Sequence, residues 1–160
     1  MRSEHQVNQA IGRYADMVQR ICLLHLKNPH DTEDIFQKVF LKYTLYSGTF
    51  ENSEHEKAWL IRVALNACKD FLRDYYRKNK VSLETLSETP ITGQQENREL
   101  LEAVLSLPPK MKDAIYLFYF EGYTGPEIGK IMRKSENTVY TLLARARAKL
   151  KELLGGDELE

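Results

Sequence analysis

Apolar residues recur at three- and four-residue spacing along almost the whole chain and nowhere sustain a period of two, which predicts helices and no sheet. A first helix is expected from about Val7 to Leu26, with Ile11, Tyr14, Ala15, Val18, Ile21 and Cys22 on one stripe and Asn28-Pro29 as its stop. A second starts at Asp31 or Thr32. Asp31, Glu33 and Asp34 crowd its first turn, where unpaired amides and the helix dipole favour acids. Its buried stripe is Ile35, Phe36, Val39, Phe40 and Tyr43. Ser47-Gly48 ends it, and a polar loop runs to about His55. A long helix then extends from Lys57 to about Lys78, carrying Leu60, Val63, Ala64, Ala67 and Phe71, with a second stripe of Trp59, Cys68, Leu72 and Tyr75. An apolar arc that wide predicts a helix sandwiched between others, and three helices organised around it make a first domain over residues 1–78.

Periodicity dissolves over residues 79–97, where Ser, Thr, Gln and Glu dominate and large apolar residues are few, so this stretch reads as a flexible linker. A second domain is expected over residues 98–156. Leu100, Leu101, Val104 and Leu105 form a short amphipathic helix stopped by Pro108-Pro109, and Met111, Ala114, Ile115 and Phe118 lie on the next. The fold class is therefore all-α: two small helical domains joined by a flexible linker.

The segment Glu121–Leu154 carries a mechanism. Gly122 ends the preceding helix, and Thr124-Gly125-Pro126-Glu127 has the spacing of a capping box. Pro126 in a first turn loses no intrahelical bond. The helix that follows turns Ile128, Ile131 and Met132 inward; Arg133-Lys134 makes a tight turn; Ser135 caps a longer helix with Val139, Leu142, Leu143, Ala146, Leu150, Leu153 and Leu154 inside. A short helix, a tight turn and a longer helix with a basic outer face describe a helix-turn-helix, whose second helix suits the major groove. Lys134, Asn137, Thr141 and Ala144 lie opposite the apolar stripe, with Tyr140 and Arg145 on its flanks. Asn137 and Thr141 are candidates for base edges, and Arg133, Lys134, Arg145 and Arg147 for phosphates.

The formal net charge is zero, which on average argues against a nucleic-acid partner. Its distribution reverses that reading. Ala58–Lys80 and Arg133–Leu154 each hold six basic residues against two acidic ones, so two basic segments sit in an acidic background and point to two separate anionic contacts. No run approaches the length of a membrane span, and MRSEHQVNQA has no signal-peptide core, so the expected compartment is the cytoplasm without membrane insertion. Cys22 and Cys68 read as buried reduced thiols.

Both halves resemble one known family. LPPKMKDAIYLFYFEGYTGPEIGKIMRKSENTVYTLLARARAKLKEL is similar to region four of extracytoplasmic-function (ECF) sigma factors of the sigma-70 family; DTEDIFQKVFLKYTLY followed by AWLIRVALNACKDFLR resembles their region two. The likeness implies an RNA polymerase sigma subunit that binds core polymerase, recognises a two-part promoter and promotes strand opening. Asp34, Gln37, Lys38 and Leu41 would dock on the clamp helices of the largest polymerase subunit. The loop Tyr46–Glu56 would capture a flipped base of the minus-ten element, with Phe50, Asn52 and His55 as candidates. Arg62, Asn66, Lys69 and Arg73, with Asp70 among them, would meet DNA near the melting point. Region four would read the minus-thirty-five element through Arg133, Lys134, Ser135, Asn137, Thr138, Tyr140, Thr141 and Arg145, and rest on the polymerase flap. The partners implied are core polymerase, duplex and melted promoter DNA, and an anti-sigma factor. The chain departs from the family in placing Tyr140, Thr141 and Leu142 after Val139, where Lys, Ser and Arg are frequent, and in carrying Pro126.

Two rival readings stand against this. A helix-turn-helix regulator working without polymerase membership accounts for the C-terminal half but not for the basic Ala58–Lys80 helix. An enzyme with a metal site at His30, Asp31, Glu33 and Asp34 finds no second histidine at ligand spacing and no Gly-rich phosphate loop, and capping already accounts for the acids. No catalytic residue, cofactor or metal is expected.

Overall fold

The computed structural model describes residues 1–79 and 95–155, and every regular element among them is helical. The chain divides into two compact units, Met1–Glu88 and Thr89–Glu160. The linker expected over residues 79–97 lies outside the described residues except at its ends, where one helix closes at Asn79 and the next opens at Gln95.

The first unit holds α1 (Glu4–His25), α2 (Pro29–Leu45) and α3 (Ser53–Asn79), each packed on the other two. α1 begins earlier than periodicity predicts because Ser3 and Gln6 form a reciprocal capping box: the Gln6 amide donates to Ser3 Oγ at 3.2 Å, and the Ser3 amide to Gln6 Oε1 at 3.0 Å. Asn28-Pro29 starts α2 instead of merely ending α1. Asn28 Oδ1 accepts from the His30 amide at 2.8 Å, and Pro29 occupies a first-turn position whose N–H would have no partner. α3 likewise starts earlier than expected, at Ser53.

Buried in this unit are Tyr14, Met17, Val18, Ile21 and Cys22 on α1, with Ile11 and Ala15 only half covered. α2 contributes Ile35, Val39, Phe40 and Tyr43; Phe36 is half-buried. On α3 the covered face is Leu60, Ile61, Ala64, Leu65, Cys68 and Leu72, which corrects the predicted stripe: Val63, Ala67 and Phe71, and likewise Trp59 and Tyr75, are half-buried. The helix is apolar around so much of its circumference that spacing alone allowed more than one face, and the seam with α1 and α2 selects the one through Ala64 and Cys68. Truncating Leu60 or Ile61 to Ala at these fully covered positions costs about 2–5 kcal/mol.

The second unit comprises α4 (Gln95–Leu105), α5 (Pro109–Ile115), a π-helical turn (Tyr116–Phe120), α6 (Gly125–Met132) and α7 (Glu136–Leu154). α7 is the hub, packing on α4, α5 and α6 and burying Val139, Leu143, Ala146 and Leu150. Ala103 and Leu107 face inward from the α4 end, whereas Leu100 and Leu101, expected inside, are exposed, as is Leu153 near the end of α7. The π turn, in which the Glu121 amide reaches back five residues to the Tyr116 carbonyl at 3.1 Å, was not foreseen. Within it Tyr116 and Leu117 are buried and Phe118 is only half covered. Tyr119 and Phe120 are left outside.

Candidate nucleic-acid interface

The corner between α6 and α7 is built from caps. Thr124 Oγ1 accepts from the Glu127 amide at 3.3 Å, and Glu127 Oε1 accepts from the Thr124 amide at 2.9 Å. These bonds from Thr124 hold the Glu127 carboxyl below the usual carboxylate range. Arg133 ends α6 in the left-handed region, at φ 56° and ψ 50°. Both the Arg133 and Lys134 amides close onto the Gly129 carbonyl, the latter at 2.8 Å. A Cβ on Gly129 would lie 2.7 Å from the Lys134 carbonyl oxygen, so only glycine lets the chain turn this closely. Ser135 then caps α7 by accepting from the Thr138 amide at 3.1 Å.

This corner turns the α7 outer face to solvent, where Asn137, Thr138, Tyr140, Thr141, Ala144 and Arg145 are all exposed. Their hydrogen-bonding capacity is unequal. Ser135 and Thr138 hydroxyls bond each other at 2.8 Å as part of the cap. Thr141 Oγ1 donates to the Asn137 carbonyl at 3.0 Å, leaving its methyl group and an acceptor lone pair outward. Tyr140 lies against α6: a Cβ on Gly125 would sit 2.6 Å from its ring, so the tyrosine braces the corner while half of it stays exposed. Partial burial and the hydrogen bond to Glu136 raise its pKa. Arg133 is exposed and Lys134 half-buried. Arg147, a phosphate candidate by sequence, is committed elsewhere: its Nε donates to Tyr119 Oη at 2.6 Å, and its guanidinium lies 5.5 Å from the ring centres of both Phe118 and Tyr119. It ties α7 to the π turn.

In the first unit, Asn66, Lys69, Asp70 and Arg73 are exposed along α3, with Arg62 half-buried beside them. Arg73 pairs with Asp70 at 3.5 Å and with Asp74 at 3.4 Å, all with side chains more than half exposed. Such exposed pairs contribute at most about 1 kcal/mol.

The segment between α2 and α3 is more ordered than a polar loop. Asn52 Oδ1 accepts from the His55 amide at 2.8 Å and His55 Nδ1 from the Glu51 amide at 3.0 Å, so two base-capture candidates also cap α3. Phe50 is half-buried: it lies parallel to Tyr43 at 6.2 Å between ring centres, stacks on Tyr46 at 5.6 Å, and meets the edges of Trp59 and His55 at 5.6 and 5.3 Å. A cleft of about 300 Å³ opens beside it, lined by Arg2, Arg13, Thr49, Phe50, Asn52, Ser53 and Glu56. Tyr43 Oη donates to Glu56 at 2.8 Å, and burial together with that bond pushes the Tyr43 pKa up to about 12. Burial and the Glu56 carboxylate raise Tyr14 as well, whose hydroxyl donates to the Ser53 carbonyl at 3.2 Å. Sequence reasoning included Thr49 and Glu56 in the capture loop without singling them out, and missed Arg2 and Arg13.

Asp34, Gln37, Lys38 and Leu41 share one exposed side of α2, and Leu45 extends that row, its place given by the i, i+4 spacing from Leu41. No helix among the described residues is long and apolar enough to cross a membrane.

Residues 10–78 match the family model described as Sigma-70 region 2, and residues 97–150 the model described as Sigma-70, region 4. RNA polymerase sigma factor CarQ of Myxococcus xanthus is 30% identical over 155 residues, covering 93% of this chain and 89% of that protein. ECF RNA polymerase sigma factor SigM of Bacillus subtilis is 29% identical, covering 92% of this chain and 94% of its own. Among solved structures, the sigma factor RpoE in complex with the anti-sigma factor NepR from Bartonella quintana superposes with a TM-score of 0.73 at 20% identity, covering 94% of this chain and 98% of that one. CnrH in complex with the cytosolic domain of CnrY gives a TM-score of 0.70 at 23% identity, covering 98% and 92%. These two likenesses establish the fold.

Proposed function

The chain belongs to the sigma-70 family as an ECF RNA polymerase sigma factor, a transcription initiation factor, and from that premise we propose how its two units divide the work. The first unit, over residues 1–78, takes core polymerase and the minus-ten element; the second, over residues 98–156, takes the minus-thirty-five element. The α2 row of Asp34, Gln37, Lys38 and Leu41 docks on the clamp helices. Its exposed Leu41 and Leu45 supply apolar area that a purely solvated face does not need. Asn66, Lys69 and Arg73, with Arg62 behind them, follow the DNA backbone towards the cleft. A base unstacked during opening enters beside Phe50 and Asn52, and trapping it offsets the unpairing cost of a few kcal/mol. No nucleotide hydrolysis and no catalytic group of this chain is needed for that step.

In the second unit, α7 enters the major groove with its N-terminal end first. Asn137 offers the donor–acceptor pair suited to adenine, and Thr141 offers its methyl group. Arg133, Lys134 and Arg145 hold phosphates and set the register, while Tyr140 supports the corner. The second unit rests on the polymerase flap. An anti-sigma factor is a further partner, by analogy with RpoE, whose solved structure holds the anti-sigma factor NepR. The site of action is the cytoplasm, where polymerase and promoter are.

The observation that carries this division is the exposure of two basic helix faces, one on α3 and one on α7, in separate units of a chain with zero net charge. Run-off transcription with purified core polymerase over a promoter library tests it. Addition of the protein yields start sites that core alone does not use. Absence of any new start site, together with failure to co-purify with core, refutes the assignment.

A further inference from the structure

Arg2 lies ahead of α1, yet its bonds all reach the far end of α2 and the loop beyond it. Its amide donates to the Thr44 carbonyl at 2.9 Å. Its Nε donates to the Tyr43 carbonyl at 3.1 Å and its Nη2 to the Gly48 carbonyl at 2.8 Å. Its guanidinium carbon lies 4.6 Å from the Tyr43 ring centre, 4.9 Å from Phe50 and 5.9 Å from Tyr46. The Tyr43 and Thr44 carbonyls belong to the last turn of α2, where intrahelical donors run out, so Arg2 caps that helix from outside. The two ends of the loop are secured by their own helices: the Tyr46 amide on Lys42, and the Glu51 amide on His55. Its middle is secured by Arg2 through Gly48. Arg2 also forms part of the cleft wall.

We propose that Arg2 is a positioning residue for minus-ten recognition: it fixes the Tyr46–Asn52 loop, and with it the Phe50 face, in the conformation that receives an unstacked base. The inference rests on the base-capture reading of the cleft. A planar fork spans the Tyr43 and Gly48 carbonyls while lying over aromatic faces, which a lysine ammonium, a point charge, does not reproduce. Alanine at position 2 removes the tie at the Gly48 carbonyl and the cover over the aromatic faces, and the cost of ordering the loop then falls on DNA binding.

Trp59, the single tryptophan of the chain, is 4.7 Å from Tyr46 and 5.6 Å from Phe50 between ring centres and reports on this loop directly. The experiment compares the full-length protein with Arg2→Ala, Arg2→Lys and Phe50→Ala. Acrylamide quenching of Trp59 is measured in the free protein. Affinity for a single-stranded oligonucleotide, the non-template strand of the minus-ten region from a promoter found by run-off, is measured in the reconstituted holoenzyme. Arg2→Ala is expected to make Trp59 more accessible and to weaken oligonucleotide binding about tenfold, with affinity for core polymerase unchanged; Arg2→Lys recovers part of the loss. The proposal is overturned if Arg2→Ala binds the oligonucleotide normally while Phe50→Ala does not, or if Arg2→Ala loses core affinity to the same degree. Normal oligonucleotide binding by both Arg2→Ala and Phe50→Ala sinks the base-capture reading itself, whatever Trp59 reports.

Discussion

Gly129→Ala is the sharpest test of the helix-turn-helix corner, because two effects of opposite sign meet in one methyl group. Alanine is favoured over glycine inside a helix by up to about 1 kcal/mol. Against that, the added Cβ lands 2.7 Å from the Lys134 carbonyl oxygen. That oxygen is backbone and follows a residue already held at φ 56°, so it has no rotamer through which to yield. Forced overpacking of this kind costs about 1–3 kcal/mol, and displacing the Gly129 carbonyl weakens the two amide bonds it accepts. The repulsive side wins, and the expected net loss is about 1–2 kcal/mol. For a unit of this size that lowers the unfolding midpoint by roughly 4–8 °C per kcal/mol. Gly12→Ala is the matched control, since nothing lies within 4 Å of its Cβ and it sits in the exposed face of α1, so it should stabilise by about 0.4–1 kcal/mol. Circular dichroism melting gives the two midpoints, and hydrogen exchange of α6 and α7 amides localises the Gly129 effect. A Gly129→Ala protein as stable as the parent would refute the close turn, and with it the presentation of α7 that the promoter assignment needs.

Other predictions concern how the two faces share the work. Asn137→Ala and Thr141→Ala should relax preference at the upstream element, with Asn137 costing about 1–3 kcal/mol of base discrimination, while core polymerase binding is unchanged; promoter-variant transcription and core pull-down check the two halves. Arg145→Ala should reduce the log–log salt slope of promoter binding by about 1. Arg147→Ala should leave that slope alone and instead lower thermal stability, because its hydrogen bond goes to Tyr119. Tyr43 is held neutral by burial and by Glu56, with a folded pKa of about 12 above the ordinary 10.0. Its stabilising contribution is therefore complete below pH 10.0 and is lost as pH rises towards 12. Alkaline unfolding of Tyr43→Phe should show a shallower dependence across that window.

What was legible in the sequence is what local chemistry encodes. Thr124 and Glu127 three residues apart, Gly122 before them and Ser135 after the turn mark the ends of α6 and α7 without knowledge of packing, and the structure places caps at each. Asn28-Pro29 was read as a stop because proline ends helices, though in a first turn the same dipeptide starts one. The inward face of α3 was misassigned because periodicity discriminates poorly when apolar residues spread around so much of a helix. The π turn has no sequence signature and could not be foreseen. Arg2 and the Arg147–Tyr119 bond were missed for a common reason. Their partners are carbonyls and rings 41 and 28 residues away, and no spacing rule connects residues so far apart in sequence.

The charge arrangement explains why such a protein depends on polymerase. A chain of zero net charge has no overall field to draw it to DNA, so attraction is confined to the α3 and α7 faces. On α3 even that attraction is muted, because Asp70 and Asp74 compete with phosphates for Arg73. On α7 the basic set is thinner than position count suggests, because Arg147 is turned into its own unit and Tyr140 serves as a brace. On the proposed assignment each face alone would hold few phosphates, and affinity that rests on few phosphates is weak at physiological salt. A partner that holds both faces at promoter spacing converts the second contact into an intramolecular one and multiplies the two weak affinities. On the proposed division of labour, weakness of the separate parts would keep the free factor off the rest of the genome, and core polymerase would supply the geometry that makes the pair sufficient.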